Sequence, residues 1–290
     1  MGIEFAPLQL LPMLVFGVLY WRRNRELTST PAWRQWCFYG GLVLMALTLS
    51  SPLAGMSEEL FWAHMLEHLL IADLGALLIV LGLTGPVLAP LLRAVPWLRV
   101  FGHPIVALVL WTANFYVWHL PVLYQGAVSS DAVHALQHML FVSFGIAMWM
   151  ALLGPLPKPA WFGNGWKIGY IIAIRLIQSV LANALFWSTG VLYPQYARGQ
   201  AEWGITAAND QSAAGAIMMI EGSIVTILLF AWLFMKAARE SEERQELAEL
   251  AAREGVEMTP ERIARAVSAG RGDALRERIQ FQASEARSSQ

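Results

Sequence analysis

The stretch HMLEHLLIAD, residues 64–73, decides how this chain must be read. It heads an apolar run with two histidines four apart, and it sets Glu67 and Asp73 inside that run. Ionisable groups are costly in a bilayer, roughly 2.5–3.5 kcal/mol each at a helix centre on insertion scales. A run that tolerates four of them is either not in a membrane or uses them there. The surrounding composition favours the membrane: 57% of the 290 residues are hydrophobic and only 14% are charged. The charges also crowd into the tail. From residue 237 onward, 54 residues hold nine of the 20 Lys and Arg and 11 of the 21 Asp and Glu. The expected organisation is a seven-span membrane domain, 1–236, and a charged cytoplasmic tail, 237–290, of short helices or partly disordered chain. Within the tail, Thr259 followed by Pro260 reads as the start of a helix. A net charge of −1 gives no general pull toward nucleic acid. The single cysteine, Cys37, excludes an intramolecular disulfide and a thiol pair for metal.

A helix needs about 20 apolar residues to cross the hydrocarbon core. Seven segments qualify: roughly 4–21, 34–52, 60–83, 103–122, 132–154, 167–190 and 212–236. The first contains Pro7 and Pro12, and it reads as a retained span rather than a signal peptide because it lacks a basic leading region. Basic residues alternate from loop to loop. Arg22, Arg23, Arg25 and Arg34 follow the first span, Arg93 and Arg99 the third, Lys158 and Lys167 the fifth, and Lys236 and Arg239 the seventh. The other loops carry no basic residue, apart from Arg198 in the 191–211 stretch. By the positive-inside rule the N-terminus is outside and the C-terminus cytoplasmic. The expected fold is therefore all-α, a polytopic bundle of seven transmembrane helices.

This topology gathers the histidines. His64 and His68 fall in the outer half of the third span, His119 near the outer end of the fourth, and His134 and His138 at the outer start of the fifth. Only His103 lies at the inner side. Residues four apart share a helix face, so each HxxxH pair points one way. Five imidazoles at one membrane level fit a single cation, and imidazole suits copper, zinc, iron and nickel. Heme between facing imidazoles is a rival, and histidines at helix ends are also ordinary interfacial polar groups. Met65, Met139 and Met218 are candidate extra ligands. Thioethers favour Cu(I), although methionine is also ordinary core filling. Glu67 and Asp131 are candidate partners of the imidazoles, and Asp210 is either a further ligand or a helix cap. Deeper in the bundle, Asp73, Arg175 and Glu221 read as a charge network, with Arg175 paired to one of the carboxylates.

Three blocks carry a family resemblance: HMLEHLL at 64–70, NFYVWHLPVLYQGAV with HALQHMLF at 114–141, and NDQSAAGAIMMIEG at 209–222. With them the chain resembles the polytopic CtaG family of cytochrome c oxidase assembly factors over about residues 30–236. The resemblance matches the family's histidine motifs to His64, His68, His119, His134 and His138. It implies a role at the copper-insertion stage, raises copper, as Cu(I), above zinc or heme, and names cytochrome c oxidase subunits or another copper carrier as partners. The expected setting is a bacterial plasma membrane, crossed many times and in contact with lipid. The expected function is a non-enzymatic one: an assembly factor that binds copper at an outer-face histidine site, open to that face, and hands it on. Two alternatives remain at this level. One is an intramembrane zinc-dependent hydrolase using three histidines with Asp131 or Asp210. The other is a metal-free scaffold for oxidase subunits.

Overall fold

A computed structural model describes residues 7–27 and 30–288. Among them all regular structure is helical. In chain order the α-helices are α1 (Pro7–Glu26), α2 (Ala32–Ser50), α3 (Pro52–Glu59), α4 (Phe61–His68), α5 (Ala76–Gly82), α6 (Gly85–Ala94), α7 (Pro104–Trp118), α8 (Pro121–Val128), α9 (Asp131–Leu152), α10 (Asn164–Trp187), α11 (Ala197–Trp203), α12 (Ala207–Arg253), α13 (Pro260–Ser268) and α14 (Gly272–Ser288). Short 3-10 turns at Pro96–Gly102 and Pro194–Tyr196 precede α7 and α11. A π-helical segment, Leu69–Gly75, joins α4 to α5.

Among the described residues, four helices are long and apolar enough to cross a membrane: Phe61–Gly82, α9, α10 and α12. Two bent pairs bring the total to six if each is one span. They are α2 with α3, bent by 56°, and Pro96–Gly102 with α7, bent by 84°. The first expected span, 4–21, begins outside the described residues, and α1 ends on Arg23 and Arg25. Large apolar side chains face outward along these helices, such as Leu14 on α1 and Leu176 and Val180 on α10. Such a surface suits lipid rather than water.

The chain divides into two compact units, 1–226 and 227–290. In the first, Tyr20 stacks on Phe38 with ring centroids 3.8 Å apart, and these pack with Leu42, Met45, Leu49, Ile71 and Ile79 into one core. Local chemistry sets the helix ends. The Ser51 side chain accepts from the Leu53 N–H at the start of α3, with Pro52 in the first turn. Arg34 donates to the carbonyls of Leu81 and Leu83 at 3.0 and 3.1 Å, closing the end of α5. The π segment needs close neighbours because its wider turn changes the packing period. Gly145 of α9 provides one, since a side chain there would collide with the Ala72 carbonyl. The second unit has its own core of Leu247, Ala251, Ile263, Val267, Leu275 and Ile279. There Thr259 caps α13 by accepting from the Arg262 N–H at 3.3 Å, with Pro260 in the first turn.

Candidate metal centre

The site begins with a helix start that its own sequence leaves uncapped. Leu60 precedes α4 and offers no side-chain acceptor. Asp210, at the start of α12, supplies the cap from across the bundle. Its Oδ2 accepts from the Phe61 N–H at 2.9 Å and its Oδ1 from the Trp62 N–H at 2.8 Å. The Gln200 amide adds a third hydrogen bond to Oδ2 at 2.8 Å. A fully buried carboxylate is satisfied this way, and its charge complements the helix N-terminus. Asp210 is thereby committed to holding α4, the helix that carries His64 and His68. It is not a free ligand.

From that anchored start, His64 and His68 project one turn apart with ring centroids 4.3 Å apart. His134 and His138 do the same on α9 at 4.2 Å. The two pairs meet: His64 stacks over His134 at 5.3 Å, and His68 meets His138 edge-on at 5.0 Å. Glu67 joins from α4, its Oε2 4.0 Å from His138 Nε2. Donor atoms fall into two triads, His64–His68–His134 and Glu67–His134–His138, each with its atoms within 4.8 Å of one another. His134 belongs to both. The Nε2 atoms of His64 and His134 and both ring nitrogens of His68 are buried without a protein hydrogen-bond partner. Such atoms are costly when nothing meets them. Four imidazoles and a carboxylate form a borderline-hard donor set that suits a first-row transition ion.

His119 takes a separate place. It follows the last turn of α7, and its Nδ1 donates to the Phe115 carbonyl at 2.6 Å. This fixes the tautomer and leaves Nε2 as the lone-pair nitrogen, which is buried and unpartnered. His119 faces a cavity of about 40 Å³ shared with Met65, His68, Asp73, Gln178 and Met218. The expected set of five histidines on one point is thus four around one point and a fifth opening onto the adjoining space. Met65 and Met218 line that space, whereas Met139, one residue on from His138, is 57% exposed and does not turn inward. Asp131 is exposed at the start of α9. His103 stands apart, near Trp161 at 6.1 Å.

The site is closed rather than open to the outer face. His64 is only 1% exposed, and His134 alone among the four is partly accessible. Three tyrosines account for the closure. The rings of Tyr124 and Tyr196 lie 5.1 and 6.3 Å from His64, their hydroxyls share a hydrogen bond of 2.6 Å, and the Tyr193 hydroxyl donates to the His119 carbonyl at 2.8 Å. Burial pushes the Tyr124 and Tyr196 hydroxyls well above the ordinary tyrosine range and that of Tyr193 to about 12, so the cover is neutral at any physiological pH. These residues come from α8 and the loop before α11, where no periodic signal marks them; the only hint is the aromatic density of LYPQY, residues 192–196.

Below the cavity, the charged groups pair differently from the expected ion pair. Arg175 donates to the Met219 carbonyl at 2.6 Å and to the Met218 carbonyl at 3.4 Å. It lies over Gly222, where any side chain would displace it. Among the described residues it forms no ion pair with Asp73 or Glu221. Asp73 is held instead by Trp149, whose indole N–H reaches its Oδ1 at 3.0 Å and its backbone carbonyl at 3.1 Å. Gln178 bridges the two, donating to Asp73 Oδ2 and accepting from Arg175, each at 3.4 Å. Glu221 adjoins Asp73.

A family described as cytochrome c oxidase caa3 assembly factor (Caa3_CtaG) matches residues 14–240. The uncharacterized protein ML1998 of Mycobacterium leprae is 23% identical over 76% of this chain and 36% of its own length. The uncharacterized protein Mb0105 of Mycobacterium bovis is 24% identical over 75% of this chain and again 36% of its own. The chain thus spans about a third of the length of the curated relatives it matches. No solved structure matches it. The family match runs through every helix that lines the histidine site, and the chain belongs to the cytochrome c oxidase caa3 assembly factors.

Proposed function

We propose that this protein is a seven-span protein of a bacterial plasma membrane, with its N-terminus outside and its C-terminus in the cytoplasm. In this reading it takes up copper as Cu(I) at the histidine cluster near the outer face and passes it to cytochrome c oxidase subunits or another copper carrier. The observation that carries the reading is the convergence of His64, His68, His134 and His138, with Glu67, in a buried pocket where the Nε2 atoms of His64 and His134 and both ring nitrogens of His68 lack hydrogen-bond partners. A structural cluster of this burial is ordinarily hydrogen-bonded within the protein. Shared use of His134 by two triads suits a cargo ion better than a permanent one, because ligands can exchange one at a time. The tyrosine cover would keep water and stray ligands off the ion, and the partly accessible His134 is the edge by which it enters and leaves.

Metal content after loading with Cu(I) or Zn(II) tests the reading, for wild type and for His64→Ala/His138→Ala. Copper kept by the wild type and lost by the variant supports it. Equal copper in both refutes it. Zinc in place of copper would favour a hydrolase, which would have to use Glu67 as its carboxylate, since Asp210 is committed to α4 and Asp131 is exposed. Only neutral imidazole ligates, so protons compete with the metal. Affinity should fall once the buried imidazoles take up protons in acid, and a competition titration carried from about pH 8 down to about pH 3 without any loss would count against histidine ligation.

A further inference from the structure

The cavity beside the histidine cluster has a donor set of its own. Its wall contains His68 and His119 together with the thioethers Met65 and Met218. All four side chains are more than nine-tenths buried. His119 directs a lone-pair nitrogen into the protein interior, because its other nitrogen is spent on the Phe115 carbonyl. Neither nitrogen of His68 has a protein partner. Trp111, Phe115 and Phe141 supply apolar wall, and Asp73 and Gln178 also line the space. A volume of about 40 Å³ is enough for one ion or one or two waters.

We propose that this cavity is a second copper site, selective for Cu(I) and distinct from the histidine–carboxylate cluster, with His119, Met65, Met218 and His68 as its ligands. The inference rests on the copper reading above and extends it. Two thioethers and two imidazoles form a softer set than four imidazoles and a carboxylate. The outer cluster admits Cu(I), Cu(II) or Zn(II); the inner cavity rejects the divalent ions because thioether is a poor ligand for them and because apolar wall disfavours extra charge. His68 belongs to both, lying in the outer triad with His64 and His134 and on the wall of the cavity. An ion therefore passes inward by exchanging ligands around one imidazole, with no change of oxidation state and no proton transfer. The step filters the cargo: an ion that cannot take sulfur stays in the outer cluster and leaves again.

The test uses the full chain in detergent, loaded anaerobically with Cu(I) under a reductant, and in parallel with Zn(II). Copper per chain is measured, and X-ray absorption at the copper edge reports sulfur among the ligands. Wild type should hold two Cu(I) per chain with sulfur scattering, the inner ion on His68 and the outer ion on Glu67, His134 and His138. Met65→Leu/Met218→Leu, a nearly volume-conserving pair, should hold one Cu(I) with nitrogen and oxygen neighbours only and should bind Zn(II) as wild type does. Its unchanged zinc capacity shows that the outer cluster has folded. His119→Gln should lose the same single copper. A wild type that binds copper without sulfur neighbours, or a double methionine variant that keeps both coppers, overturns the inner site and leaves the outer one standing. A wild type that binds no copper overturns both, whereas loss confined to His64→Ala/His138→Ala identifies the outer cluster alone as the site and overturns the inner one.

Discussion

Two polar clusters lie within the same bundle, an upper one at the histidines and a lower one at Asp73, and they differ in how their polar atoms are met. Around Asp73, carboxylate and carbonyl oxygens find the Trp149 indole, the Gln178 amide links to Arg175, and Arg175 reaches the carbonyls of α12. Around the histidines, the Nε2 atoms of His64 and His134 and both ring nitrogens of His68 meet no hydrogen-bond partner. The lower cluster is held by bonds that link Asp73 to Trp149 and Gln178, and Gln178 to Arg175. In the copper reading proposed above, the burial cost of the upper cluster is offset when an ion arrives.

This contrast can be broken in an ordered way. The largest effect should come from His64→Ala/His138→Ala, which should weaken copper binding at the outer cluster by at least about 100-fold, beyond what loss of an outer hydrogen-bond partner alone does. Next, Asp210→Ala should cost about 3 kcal/mol, since it strips the cap from α4 and leaves the Gln200 amide buried without its acceptor. Denaturant unfolding checks the stability, and metal loading should fall with it. Trp149→Phe should cost about 2 kcal/mol by taking the indole donor from buried Asp73 Oδ1, while Zn(II) bound at the outer cluster stays at the wild-type level. Tyr124→Phe is the smallest: about 1 kcal/mol for one hydrogen bond, visible mainly as faster metal release to a chelator.

Much of the helical order was legible because periodic apolar runs report helices directly. HxxxH spacing told which face His64 and His68 share, and loop charges told which histidines lie level. What could not be read was where each side chain is committed. Asp210 sits at the head of its own helix in sequence, yet it caps α4, about 150 positions earlier, because only the packed bundle brings them together. His119 differs from the other four because the bend after α7 turns its Nδ1 back onto Phe115. The tyrosine cover was missed because it is assembled from α8 and the loop before α11, which have no common pattern. Arg175 chose carbonyls over carboxylates, because Gly222 lets the guanidinium lie against the α12 backbone, which no charge-pairing rule anticipates.

The π-helical segment Leu69–Gly75 sits between the two clusters, on the one span that serves both. An α-helix turns by about 100° per residue, and a π turn accommodates one more residue than an α turn. The wider turn absorbs one residue, so α5 keeps the phase it would have after an unbroken α-helix one residue shorter. Forcing the same residues into an α-helix would instead rotate everything after them by about a quarter turn relative to His64 and His68. Asp73 would turn away from Trp149, and Ala72 would lose its seat against Gly145. The π turn itself thus phases the histidine half of this span to the half beyond it.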